Sequence, residues 1–136
     1  MSLLEETKTQ LLKSIEHLEW SFKKVKSLNL PSEKTDNETL ETWESFSSRF
    51  SRSSDLFVSK YLRSWILQKD PGFEGTVIDS LNYAEKHALI ASADEWRQIR
   101  AMRNFIAHEY SSSEIGHIYS AMIKYCPTLL ALKDKI

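Results

Sequence analysis

Apolar residues return along this chain at alternating intervals of three and four, the rhythm of helices that bury one face. Leu11, Ile15, Leu18, Phe22 and Val25 form the stripe of a first helix over about Leu4 to Leu28, which Pro31 ends. Thr35 followed by Glu38 is a capping-box signature and predicts the start of a second, long helix. Its seam of Trp43, Phe46, Phe50, Phe57 and Tyr61 runs to about Gln68, where Pro71-Gly72 breaks the chain, and the polar Ser51 to Asp55 stretch is its weakest part. Val77, Leu81, Ala84 and Ala88 share one face of a third helix, about Thr76 to Leu89, with Thr76 and Asp79 placed to cap it. Ser92 and Glu95 repeat that signature ahead of a fourth helix, about Ala93 to Glu109, and the serines 111 to 113 mark the turn after it. A fifth helix carries Ile115, Ile118, Met122 and Tyr125, and Pro127 is expected to kink or restart it before Leu129-Leu130. Five helices with short connections predict an all-α, up-and-down antiparallel bundle.

Composition sharpens this picture. With 3 Gly and 3 Pro in the whole chain, strands have few places to begin or turn. A length of 136 residues, 41% of them hydrophobic, suits one domain spanning residues 1–136 that buries a core without crosslinks. Cys126 is the sole cysteine, so no internal disulfide can form; with no apolar leader at the start, the expectation is a cytoplasmic protein. No apolar run approaches the ~20 residues of a membrane-spanning helix.

The formal charge is −1, from 18 Lys plus Arg against 19 Asp plus Glu, so there is no overall field to gather nucleic acid. Any RNA contact must be local. The densest positive runs, Lys23-Lys24-Val25-Lys26 and the pair Arg49 and Arg52, read as solvated helix faces. No Cys or His pair stands at ligand spacing and no Gly-rich phosphate loop is present, so neither a metal nor a nucleotide cofactor is expected.

The candidate chemistry lies on the fourth helix. Projected at about 100° per residue, Trp96, Ile99, Ile106, Ala107 and Tyr110 form one apolar stripe with Arg103 at its centre. A guanidinium keeps its proton, so a buried position demands a carboxylate, a phosphate or an interface that uses its fork of donors. A core acid or a rim position would satisfy it as well, and Glu44 or Asp55 could supply the acid. Asn104 and His108, four residues apart, are neighbours beside Arg103. An imidazole, with an unperturbed pKa of about 6.5, suits proton transfer near neutral pH. His17, His87 and His117 have no comparable companions and read as structural.

The run Arg103-Asn104-Phe105-Ile106-Ala107-His108-Glu109-Tyr110 matches the R-x-x-x-x-H-x-Y signature of the HEPN superfamily. It resembles in particular the HepT toxins and the related nucleotidyltransferase substrate-binding subunits. Trp96, Arg97, Ile99 and Arg100 lead into the motif in that family's manner, and the helix with Trp43, Glu44, Phe46, Arg49, Phe50 and Asp55 looks like the family's second helix. The resemblance implies a helical bundle that forms a homodimer through the motif helix, so that two Arg and two His share a cleft. It implies a metal-independent endoribonuclease in which Arg103 holds the scissile phosphate, His108 moves the proton and Asn104 orients one or the other. It also implies a small nucleotidyltransferase antitoxin as partner, which attaches AMP to Tyr110 and blocks the site. The competing expectation is a non-catalytic subunit that docks a nucleotidyltransferase and presents its substrate.

Overall fold

The computed structural model describes residues 2–107 and 114–136, with the backbone alone for residues 106 and 107. Among the described residues it is all-helical: α1 (Leu3–Val25), α2 (Asn37–Asp55), α3 (Leu62–Lys69), α4 (Val77–Lys86), α5 (Ala93–Ala107) and α6 (Ile115–Leu130). A π-turn, Leu56–Tyr61, joins α2 to α3, so the two make one long rod, and a 3₁₀ turn, Ala131–Asp134, follows α6. Five rods therefore stack as an antiparallel bundle, as the hydrophobic rhythm predicts. None of the described helices is long and apolar enough to cross a membrane.

Helices α1, α2, α4 and α5 begin where a side-chain oxygen takes an orphan backbone N–H. Ser2 and Glu5 close a reciprocal box at the start of α1, and Thr76 and Asp79 do so at α4. Ser92 Oγ accepts from Glu95 N–H at the start of α5. The second helix departs from expectation: Asp36, not Thr35, is the cap, accepting from Thr39 N–H at 3.1 Å. Thr35 Oγ1 instead accepts from Ser32 N–H at 2.8 Å within the preceding turn. Helix α6 runs through Pro127 as one element, the proline standing exposed near its end, rather than restarting there.

The expected stripes meet in one core, except at Ala88, which lies beyond the end of α4, exposed and with φ of 61°, because the helix stops at Lys86 before reaching it. Leu11, Ile15, Leu18 and Val25 of α1 face Trp43, Phe46 and Phe50 of α2, with Phe22 stacked on Phe46. Trp43 packs on Tyr119 of α6 at 5.0 Å between ring centres, and Phe57 packs on Trp96 of α5 at 4.6 Å. The seam between α1 and α2 is lined with small polar residues that let the backbones approach. Ser14 and Ser53 share a buried hydrogen bond of 2.7 Å, and Arg49 donates to Ser21 Oγ and to the His17 carbonyl at 2.9 and 3.1 Å.

The π-turn has a readable cause. In an unbroken α-helix, Ile66 would sit about 140° round from Trp43, away from the seam. One residue inserted by a π-turn retards the helix by about 100°, and Ile66 comes back to the core, where it is fully buried. The weak point thus falls at Leu56–Tyr61, just beyond the polar Ser51 to Asp55 stretch expected to be weakest.

Candidate functional site

Helix α5 enters the core at Ala93, Trp96, Ile99 and Met102, all buried. Arg103 projects from much the same side, yet its side chain is 52% exposed. This corrects the expectation that the apolar stripe buries it. Trp96, nearly two turns earlier, is covered by Phe57, whereas at the level of Arg103 the neighbouring helices leave α5 open to solvent. Its partner is Asp55, the last residue of α2 before the π-turn: Arg103 Nη1 donates to Asp55 Oδ1 at 3.1 Å, across 48 residues of sequence. Of the two acids that could have answered the guanidinium, Asp55 does so; Asp55 is itself 40% exposed, so the pair lies at the rim. Desolvation therefore does not require a second copy of the molecule at Arg103.

Asn104 is exposed and lines the same cleft as Arg103. That cleft, about 260 Å³, runs between α4 and α5 and has Val77, Ile78 and Leu81 on one side and Arg97, Arg100, Ala101, Arg103 and Asn104 on the other. His108 and Tyr110 lie outside the described residues, as do the side chains of Ile106 and Ala107 expected on the stripe. The structure thus brings together Arg103, Asn104 and Asp55, joined by Arg97 and Arg100 from the run that leads into the motif.

The other basic runs belong elsewhere. Lys23 pairs with Glu19 at 3.2 Å, Lys24 and Arg49 lie over the Trp20 ring, and these last three line a separate cleft that Glu38 and Glu41 share. His87 ends α4 with its ring against Tyr83. Among the described residues, no three His, Cys, Asp or Glu side chains gather as metal ligands would. Cys126 is fully buried, and that burial, with Glu19 adding to it, pushes its thiol well above the ordinary range.

What the described site can do chemically follows from its cations. A guanidinium fixed at one end by a carboxylate and open to solvent at the other presents its remaining donors to an incoming phosphate. A search of curated proteins finds no match for the chain. Residues 75–136, which hold α4, α5, α6 and the whole of the motif, match the model of a family described as HepT-like, ribonuclease HepT-like.

Proposed function

We propose that the protein is the toxin subunit of a toxin–antitoxin pair, a metal-independent endoribonuclease that acts in the cytoplasm as a homodimer of single HEPN-like domains. Its partner is a small nucleotidyltransferase antitoxin. One observation carries the reading: the stretch that matches a ribonuclease family includes Arg103, whose guanidinium stands at the surface beside Asn104 and is steadied by Asp55. An exposed, oriented guanidinium suits the capture of a phosphate better than a buried one.

In the proposed reaction, the ribose 2′-oxygen attacks the adjacent phosphorus while the bond to the 5′-oxygen breaks. One copy of His108 takes the 2′-hydroxyl proton and the other gives a proton to the departing 5′-oxygen, leaving a 2′,3′-cyclic phosphate and a 5′-hydroxyl. Arg103 offsets the charge that builds on the phosphoryl oxygens, and Asn104 orients the phosphate or the imidazole. Because the nucleophile belongs to the RNA, the route calls for no metal. AMP on Tyr110 would add bulk and negative charge to the motif and so compete with the substrate phosphate.

Purified protein is expected to cut RNA in excess EDTA, with Arg103→Ala and His108→Ala each lowering the rate at least about 100-fold. Sedimentation should give a dimer, and co-expression with the nucleotidyltransferase should add an adenylate mass at Tyr110. Intact RNA with wild-type protein, or cutting by both variants unchanged from wild type, would overturn the reading. The Arg103–Asp55 ion pair favours a second reading, a subunit that docks a nucleotidyltransferase without cutting, because it already satisfies part of the guanidinium. That reading predicts tight complex formation with no RNA cleavage.

A further inference from the structure

The α4/α5 cleft differs in its charge from four other clefts of the surface. Arg97, Arg100 and Arg103 stand at successive intervals of three along α5, and among the described residues no acid lines the cleft with them. Four other clefts each carry a glutamate: Glu38 and Glu41, Glu95, Glu33, and Glu16 with Glu19. In a chain of net charge −1, three guanidinium groups on one wall make the locally positive surface that overall composition withholds. Arg100 has no ion pair among the described residues, and Arg97 is paired only with Asp94, a largely exposed contact one turn away on the same helix. Such surface pairs are worth about 0–1 kcal/mol, so exchanging Asp94 for a phosphate costs little.

The opposite wall is apolar. Val77, Ile78 and Leu81 of α4 form it, and Ile78 is 49% exposed. Phe105, one turn beyond Ala101 of the arginine wall, shows 50% of its surface. Cations along α5, uncovered hydrocarbon across from them and an exposed aromatic ring farther along α5 are what an unpaired strand needs, since its phosphates and its base faces are both free. A duplex would offer phosphates only.

We infer that this groove is the path by which single-stranded RNA reaches the reacting site: Arg97 and Arg100 hold phosphates flanking the one at Arg103, and Ile78 and Phe105 meet the bases. Arg97 lies about 9 Å from Arg103 along the helix axis, so the arginines track the strand rather than crowd one phosphate. The inference rests on the ribonuclease reading and adds substrate-positioning residues to it. Arg97 and Arg100 touch no reacting atom; their contribution is to binding.

The test separates the two ideas. Binding is followed by fluorescence anisotropy with a 2′-O-methyl RNA oligonucleotide, which cannot be cut, and cleavage with the unmodified strand. The double variant Arg97→Gln, Arg100→Gln should bind the oligonucleotide at least about tenfold more weakly. Its log affinity against log salt should flatten by about 1.4, at ~0.7 for each single-strand phosphate that the variant no longer neutralises. KM should rise while kcat at saturating RNA stays within about twofold, and Arg97→Lys, Arg100→Lys should restore most of the binding. Ile78→Glu, which sets an acid into the apolar wall without touching the arginines, should weaken binding as well. Unchanged affinity and salt slope in the double variant, with cleavage intact, would overturn the groove assignment and leave the ribonuclease reading standing. Loss of antitoxin capture with RNA binding unchanged would overturn it too, and would make the groove a protein-docking surface. A wild-type protein that neither binds nor cuts RNA overturns both.

Discussion

At the scale of single residues, the pair Arg103 and Asp55 joins fold to proposed function. Both side chains are about half exposed, so the ion pair contributes at most about 1 kcal/mol to stability. Its role in the proposed mechanism is to fix the fork of donors, and misplacement by a fraction of an ångström is costly in such sites. Asp55→Asn is therefore expected to shift the unfolding free energy by less than about 1 kcal/mol while lowering kcat roughly tenfold. Denaturant melts and single-turnover cleavage check the two halves separately; a variant as fast as wild type would remove Asp55 from the site. A second residue is strained for structural reasons alone. Ala88 has φ of 61° and follows the last turn of α4, where Leu89 N–H bonds the Ala84 carbonyl and Ala88 N–H the Glu85 carbonyl. This is the glycine position of a Schellman ending, and Ala88→Gly should raise stability by about 0.5–1 kcal/mol, read in the same melts.

At the scale of elements, the sequence discloses stripes well and boundaries less well. The rods, their seams and two of the caps, Thr76 and Ser92, follow from spacing and side-chain chemistry that operate within a few residues. Thr35 and Asp36 are adjacent and both carry an oxygen; Thr35 is taken up by Ser32 N–H in the preceding turn, which leaves Asp36 to cap α2, and the capping-box spacing alone does not make that choice. The π-turn is hidden for a similar reason. Its effect is a change of phase, visible only once Ile66 is seen in the core with Phe57 and Trp43. Arg103 illustrates the same limit at the site: a helical projection gives the direction of a side chain but not how far the neighbouring rods extend to cover it. Asp55 was one of two acids compatible with the sequence, and only the antiparallel stacking selects it. The π-turn has a test of its own. If the widened turn keeps Ile66 in register, Ile66→Ala should destabilise by about 2–5 kcal/mol, the cost of a core truncation. A straight helix would leave residue 66 toward solvent, and the substitution would then cost little.

At the scale of the whole molecule, one polar contact spans nearly the full chain, on the surface of a bundle that its common core holds closed. Glu19 of α1 accepts from Lys133, in the 3₁₀ turn after α6, at 2.8 Å, and also pairs with Lys23. The hydrogen bond from Lys133, then that from Lys23, hold the Glu19 carboxyl below its ordinary range, and the same contact holds Lys133 above its own. The signs fix the pH dependence. A carboxylate whose pKa is lowered by folding adds stability above its unfolded pKa of about 4.3, and that share disappears as pH falls through the lower folded value. A lysine whose pKa is raised adds stability below its unfolded value, lost as pH rises through the folded one. Asp36 and Asp79 are lowered as well, Asp36 by its hydrogen bond from Thr39 and Asp79 by those from Thr76, so the caps of α2 and α4 fail on the same acid limb. Wild-type protein should thus show a plateau of stability from about pH 5 to 9 with losses on both sides. Glu19→Gln isolates one share of it: the gap between wild type and variant should be open at neutral pH, narrow in high salt because the ions are exposed, and close as pH drops below the carboxylate range. The cap carboxylates accept backbone N–H groups rather than pairing with cations, so their share should resist salt. Urea melts of both proteins from pH 3 to 8, at low and high salt, read this directly; a gap that persists unchanged at pH 3 would mean that Glu19 acts by packing and not by charge.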